Sequence, residues 1–184
     1  MSIIPPHAKK VFSGIIFDVH QWEQQMYDGS TATFEKLSRP NTVNVIAVNG
    51  ETIYLAKQEQ PDKGPFVSFL GGRQDPGETP EETAKRELLE EAGMTATRWE
   101  QYSRTQPYTK IDWTIYTFIA KDCTQVQPQQ LDAGEKIDVL PVSFDELLTL
   151  ANENTLCEHE FIMQALRMQL FPDELAAFKK KLFS

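Results

Sequence analysis

Three glutamates near the middle of the chain, Glu87, Glu90 and Glu91, have the type and spacing to hold a divalent cation. At about 100° per residue, a helix would bring them within about 100° of arc. Ala84, Leu88, Leu89 and Ala92 take the adjoining arc, which suits packing on a sheet. Carboxylates at this spacing repel, each such pair destabilising a helix by roughly 0.2–0.5 kcal/mol. Folding alone would not be expected to collect them there. Carboxylate oxygens are hard ligands, so Mg²⁺ or Mn²⁺ is the implied ion. An isolated Glu-x-x-Glu-Glu is ordinarily a solvated acidic face, so the surrounding residues must decide.

The helix that would carry them has readable ends. Thr79 is a good N-cap, Pro80 fits the first helical position, and Glu82 completes a Thr-x-x-Glu capping box. Gly93 is placed to end it in a left-handed conformation. The spacing therefore predicts a helix over Pro80–Ala92. Upstream, Val11–Val19 reads as one strand, Asp28-Gly29 as a turn and Thr31–Leu37 as the next strand, together a β-hairpin or small N-terminal sheet. Arg39-Pro40-Asn41 breaks it. Thr42–Val48 and Thr52–Gln58 flank Asn49-Gly50, a strong hairpin signal. Gln60–Pro65 reads as a loop and Phe66–Leu70 as a short strand.

Downstream, strands are expected near Arg98–Arg104, Asp112–Lys121 and Ile137–Val142. Helices follow: one from Ser143 with a capping box to Glu146, one over Glu158–Leu170, and one after Pro172-Asp173-Glu174. Strands, one helix, strands, then helices imply an α+β chain with a mixed sheet between helices. The Lys179-Lys180-Lys181 run reads as a solvated helix end.

The 184 residues suit one domain, or one domain with a small appendage, and no stretch has the length and apolarity of a signal peptide or membrane span. Cys123 and Cys157 are too few for a disulfide framework, which points to reduced thiols and a cytoplasmic protein. A net charge of −9 argues against a nucleic-acid or anionic-membrane binder. A polyanionic substrate would need positive screening in the site, which a bound divalent metal can supply.

The segment from Gly72 to Met94 resembles the Nudix box. That motif runs glycine, five free positions, glutamate, seven free positions, then Arg-Glu-U-x-Glu-Glu-x-Gly-U with U a bulky aliphatic. Gly72, Glu78 and Arg86-Glu87-Leu88-Leu89-Glu90-Glu91-Ala92-Gly93-Met94 match every specified position. The resemblance implies the Nudix fold, a mixed β-sheet sandwiched between helices, with the box as strand, loop and helix. It implies metal ligation by Glu87, Glu90, Glu91 and the Gly71 carbonyl. Gly72, Glu78, Arg86 and Gly93 would be structural, Arg86 holding the loop through Glu78. The activity implied is metal-dependent hydrolysis of a pyrophosphate bond, with Glu90 and Glu91 among the catalytic residues.

Val11–Val19, Asp28-Gly29, Phe34–Pro40 and Asp132–Leu148 are similar to the ADP-ribose pyrophosphatase-like subgroup. That likeness implies an N-terminal extension over 1–40 that exchanges across a homodimer, and a Nudix domain over 41–184. It also implies a general base on a mobile loop, for which Glu135 is the candidate. ADP-ribose or an ADP-sugar is the first substrate expectation; nucleoside triphosphates or dinucleoside polyphosphates are the second, and a non-catalytic nucleotide sensor the third. The substrate-binding candidates are Arg39, Lys57, Gln60, Arg104 and Lys110. The chain departs from the subgroup at Gln60, where an arginine is common, and at Tyr108-Thr109-Lys110, where glycines follow a proline comparable to Pro107. Tyr108 and Trp113 could stack on a base.

Overall fold

The computed structural model describes residues 2–61 and 63–184; Met1, and Asp62 in the expected Gln60–Pro65 loop, lie outside them. Its centre is a mixed sheet in the order β12 (Lys136–Val142), β5 (Thr52–Gln60), β4 (Thr42–Asn49), β10 (Ile115–Lys121) and β8 (Arg98–Thr105), with β6 (Lys63–Ser68) also paired to β5. β10 runs parallel to β4, and the other pairs are antiparallel. Pro141 sits within β12, an edge strand in this order, where a missing N–H costs least. Helix α1 (Pro80–Ala92) covers one face of the sheet, where Ala84, Leu88 and Ala92 pack against Val43, Val45, Leu70 and Phe118. Helices α2 (Phe144–Asn152), α3 (His159–Leu170) and α4 (Pro172–Phe183) cover the other face through Leu147, Phe161, Ala165, Phe178 and Leu182. Burial on both faces is why β4 reads as a continuous apolar run rather than an alternating one. Among the described residues no helix is long and apolar enough to cross a membrane.

A second sheet contains β1 (Lys9–Ser13), β2 (Asp18–Gln25), β3 (Thr31–Ser38) and β9 (Ile111–Asp112). Two expected strands are divided. Val11–Val19 breaks because the N–H of Gly14 bonds the carbonyl of Phe17 at 2.9 Å, folding the chain back so that β1 pairs with β2. Asp112–Lys121 breaks because its first residue belongs to the small sheet and its last seven to the core sheet. β9 pairs with Leu37 and Ser38 of β3, and three residues after Asp112 the chain pairs with Thr42 of β4.

Arg39-Pro40-Asn41 and Trp113-Thr114 therefore run side by side as the joint between the sheets. Asn41 holds it. Its Oδ1 accepts from the Thr114 N–H at 3.0 Å, and its Nδ2 donates to Gln74 Oε1 at 3.0 Å. Trp113 Nε1 donates to Thr42 Oγ1 at 2.9 Å.

Helix α1 ends as its caps require. Thr79 and Glu82 form the reciprocal capping box, and Gly93 takes φ 64°. The turn after it, which sequence reasoning left without structure, is β7 (Met94–Thr95) paired with β11 (Thr124–Gln125). The N–H groups of Val126 and Gln127 bond the Gly93 carbonyl, and that of Gln130 bonds the Glu90 carbonyl at 2.8 Å. Gln129 Nε2 reaches the carbonyls of both Glu91 and Ile137. This segment satisfies the open end of the helix and ties it to β12. A Cβ on Gly93 would lie 2.0 Å from the Gln127 carbonyl oxygen, in addition to the left-handed backbone cost of about 1–2 kcal/mol. Gly93→Ala is expected to lower unfolding free energy by at least about 2 kcal/mol. Urea denaturation checks this, and a loss under about 0.5 kcal/mol would show that the 126–130 segment yields freely.

Candidate active site

The loop between β6 and α1 is strapped to the start of β4. The Val43 N–H donates to the Gly72 carbonyl at 2.9 Å, and the Gln74 N–H to the Asn41 carbonyl at 2.9 Å. Gly71 has φ 135°, and a Cβ there would meet the Val43 carbonyl at 2.1 Å. A Cβ on Gly72 would lie 2.6 Å from Glu87 Oε1. Without side chains, Gly71 lets the loop backbone approach β4 and Gly72 lets it approach Glu87 of the helix.

Glu87 and Glu91 are only 8% and 3% exposed, while Glu90 faces outward. Glu91 accepts the Gly71 N–H at 2.6 Å. Arg86 spans the other carboxylates: Nε and NH2 bond the two oxygens of Glu78 at 2.9 and 3.1 Å, and NH1 bonds Glu87 and Glu90 at 2.9 Å each. NH2 also donates to the Arg73 carbonyl at 3.1 Å. The Glu78 carboxyl is held down to about 2, first by Arg86 and then by Thr83. Arg86 is itself held further toward its charged form by the same contacts.

The buried pair behaves oppositely. Burial pushes Glu87 up to about 7 against the opposing charge of Arg86. Burial pushes Glu91 up to about 9 against the Gly71 N–H, and the charges of Glu87, Glu135 and Glu90 add to the rise. What this carboxylate group lacks is positive charge. Among the described residues no three acidic side chains already converge on one point, because Arg86 and the Gly71 N–H hold them individually. Their donor chemistry nevertheless fits a hard divalent cation, and Glu87 already lies against the bare Cα of Gly72.

A cleft of about 370 Å³ opens over these groups. One part of its wall is acidic, with Glu87, Glu90, Asp75, Asp132 and Glu135; another carries Arg39, Arg73 and Arg86. Glu135 comes from the turn before β12, where its carboxylate accepts the Asp132 N–H at 3.1 Å. Arg39 stands at the sheet joint with its guanidinium 4.6 Å from the Trp113 ring and 5.6 Å from that of Phe17. Its Nε is buried with no hydrogen-bond partner among the described residues.

The other basic and polar candidates do not line this cleft. Lys57 is exposed on β5 opposite Asp138, and Gln60 ends that strand, donating to Gln58 at 3.3 Å. Arg104 lines a neighbouring polar cavity with Asp112 and Tyr116, to which Arg39 also contributes, and Lys110 lies over the Phe34 ring at 5.5 Å. Arg73, Asp75, Gln130 and Asp132 line the cleft but were not singled out in the sequence. Arg73 and Asp75 stood between box positions that the motif leaves free, and Gln130 sat in a glutamine-rich stretch with no local signature.

A family model for the NUDIX domain matches residues 38–163. The chain belongs to the Nudix family. It is 30% identical over 148 residues to an ADP-ribose pyrophosphatase of Bacillus subtilis, spanning 77% of this chain and 79% of that one. It is 26% identical over 168 residues to a methanol dehydrogenase activator of Bacillus methanolicus, spanning 89% and 90%. A solved ADP compounds hydrolase shares the fold at a TM-score of 0.72, with 19% identity and 91% and 94% of the two chains covered. This Nudix chain is a pyrophosphohydrolase of nucleoside diphosphate-linked compounds, in a family that generally needs a divalent metal.

The raised Glu87 and Glu91 fix a sign. In the folded state they hold protons more tightly than in the unfolded chain, so without metal they favour folding at low pH. That contribution is lost as pH rises from the ordinary carboxylate range, near 4.5, through about 7 and 9. Chelator-treated protein is expected to show a falling Tm between pH 5 and 9, with Mg²⁺ restoring stability most at the alkaline end. Glu91→Gln is expected to flatten the metal-free slope. A slope unchanged by that substitution in differential scanning calorimetry would contradict the assignment.

Proposed function

We propose that the chain cleaves ADP-ribose or a related ADP-sugar with water, giving AMP and a sugar phosphate. We further propose that Glu87, Glu90, Glu91 and the Gly71 carbonyl hold Mg²⁺ (or Mn²⁺). The observation carrying this reading is the cleft itself, where Arg39 and Arg73 stand together with a group of carboxylates. That arrangement suits an anionic diphosphate beside a cation site. The likeness to an ADP-ribose pyrophosphatase supports the choice of substrate.

When bound, the ion would neutralise diphosphate charge and make a water more acidic. The remaining tasks fall to the chain. Arg39, backed by two aromatic rings, would orient the diphosphate in the cleft. Glu135 would leave the Asp132 N–H and accept the proton of the attacking water. Arg86 and Glu78 would keep the glutamate helix and its loop in register, so that little reorganisation accompanies reaction.

Phe12, Ile15, Ile16 and Phe17 leave the N-terminal sheet with an exposed apolar edge, Ile15 being 98% exposed. We assign this edge to a homodimer, with 1–40 as the dimer-forming extension and 41–184 as the catalytic domain. The free cysteines are in keeping with a reducing, cytoplasmic setting.

With ADP-ribose and Mg²⁺, turnover to AMP is expected by chromatography, and chelation should abolish it. No turnover on any nucleoside diphosphate compound would leave a nucleotide-sensing role instead. Glu90→Gln and Glu91→Gln should each lower kcat at least about a hundredfold. Glu135→Gln should lower kcat about 10²–10⁴-fold with metal affinity kept, and an unchanged rate would place the base elsewhere. Light scattering should give a dimer that Ile15→Asp weakens; a concentration-independent monomer refutes the N-terminal assignment.

A further inference from the structure

A polar cavity of about 330 Å³ adjoins the glutamate cleft and shares Arg39 with it. Its position follows from strand alternation. On β8, Ser103 and Thr105 border the space beneath Phe161 and Gln164 of α3, so Arg104 between them points to the other face of the sheet. Ile115 and Thr117 repeat the pattern on the neighbouring strand, with Thr114 and Tyr116 turned to the polar cavity. Tyr116 also packs against the apolar cluster that α1 covers. The cavity therefore opens on the face that carries the glutamates.

Two guanidiniums line this cavity, and neither forms an ion pair among the described residues. Arg39 Nε is buried without a partner, and burial, followed by the charge of Arg73, holds its pKa below the usual arginine value. A buried donor left unpaired is uncommon in folded proteins and calls for an explanation. Arg104 rests on Tyr116, its Nε donating to the phenol oxygen at 3.5 Å, a weak bond. Asp112, the acid in the cavity wall, is engaged from another direction, by Ser2 Oγ and the Ile3 N–H. Asn41 is likewise taken up by Thr114 and Gln74. Arginine stays charged at any ordinary pH, so two positive charges stand here against one negative, in a chain of net charge −9. Neither the carboxylate group nor the proton transfer assigned to Glu135 uses Arg104.

We propose that this cavity is a second anion subsite, holding a phosphate group between Arg39 and Arg104 and favouring substrates that carry a phosphate beyond the diphosphate in the glutamate cleft. The proposal rests on the placement of the diphosphate at Arg39 given above. A guanidinium presents paired N–H donors that match two phosphate oxygens, and such charge-assisted bonds are stronger than neutral ones. With a single carboxylate, already engaged, the cavity has no ligand set for a cation, so side chains alone would hold the phosphate. Arg39 lines both spaces, so a phosphate at Arg104 lies one guanidinium away from the diphosphate. That reach fits the next phosphate of a longer chain or one esterified to the sugar beyond the diphosphate. ADP-ribose lacks the group and would leave the cavity to water.

Calorimetric titration of the metal-free full chain tests this without turnover, using two pairs of compounds that differ by one phosphate. One pair is ADP and ATP; the other is ADP-ribose and ADP-ribose phosphorylated on its terminal ribose. In at least one pair, wild type should bind the member with the extra phosphate about tenfold more tightly or better. A gain in the first pair places the phosphate on the chain, and a gain in the second places it on the sugar. Arg104→Gln, at an exposed strand position with little risk to folding, should reduce the gain to within about twofold. Arg98→Gln removes an equal charge elsewhere on β8 and should leave the gain above about fivefold. No gain in either wild-type pair, a gain intact in Arg104→Gln, or an equal loss in Arg98→Gln each overturns the proposal. The two readings fail separately: a gain that depends on Arg104, with no cleavage of ADP-ribose, removes the substrate assignment alone. Cleavage of ADP-ribose with no gain in either pair removes the subsite alone.

Discussion

Burying carboxylates together on one helix is unfavourable twice over, through lost hydration and through mutual repulsion, and the centre of this molecule is organised around that conflict. Glu87 and Glu91 point inward from α1 toward the sheet, and both resist ionisation. Arg86 answers part of the deficit by touching Glu78, Glu87 and Glu90 at once. The Gly71 N–H answers another part at Glu91. Arg86 spreads one positive charge over three carboxylates and the N–H supplies only a dipole, so the group keeps a deficit of positive charge. Removing a partner from such a cluster would leave a buried charge uncompensated, which is far costlier than losing an exposed ion pair.

The rest of the fold keeps those groups within reach of one another. The loop glycines bring the backbone against β4 and Glu87, and Asn41 fastens that loop to the joint between the two sheets. At the other end of α1, Gln129 and Gln130 satisfy helix carbonyls and lead directly to the turn that carries Glu135. One continuous run of chain thus closes the helix and delivers an acidic side chain to the cleft. The joint does the same for positive charge, because Arg39 can stand there only while Trp113 passes from the small sheet to the core sheet beside it.

The chain leaves its subgroup's pattern at Tyr108-Thr109-Lys110, and Tyr108 there stacks on Trp113, the residue beneath Arg39. Aromatic side chains there reshape the space beyond the reaction centre and leave the box untouched.

Much of the reaction centre was legible in the sequence because it is local. The Thr79 and Glu82 cap, the Gly93 stop and the shared flank of Glu87, Glu90 and Glu91 follow from helical geometry over a few turns. The hairpin at Asn49-Gly50 and the helix from Ser143 were readable for the same reason. Long-range pairing decided the rest. Nothing local at Val11–Val19 or Asp112–Lys121 shows that one stretch folds back and the other changes sheets, since each break depends on a partner strand. Among the polar residues named as substrate contacts, side-chain type could not separate Arg39, which lines the cleft, from Lys57 and Gln60 of β5, which do not. Local pattern is enough to specify the carboxylate helix and the reaction it suits; the distant charges and rings around it come from contacts between remote segments, which packing sets and no local pattern encodes.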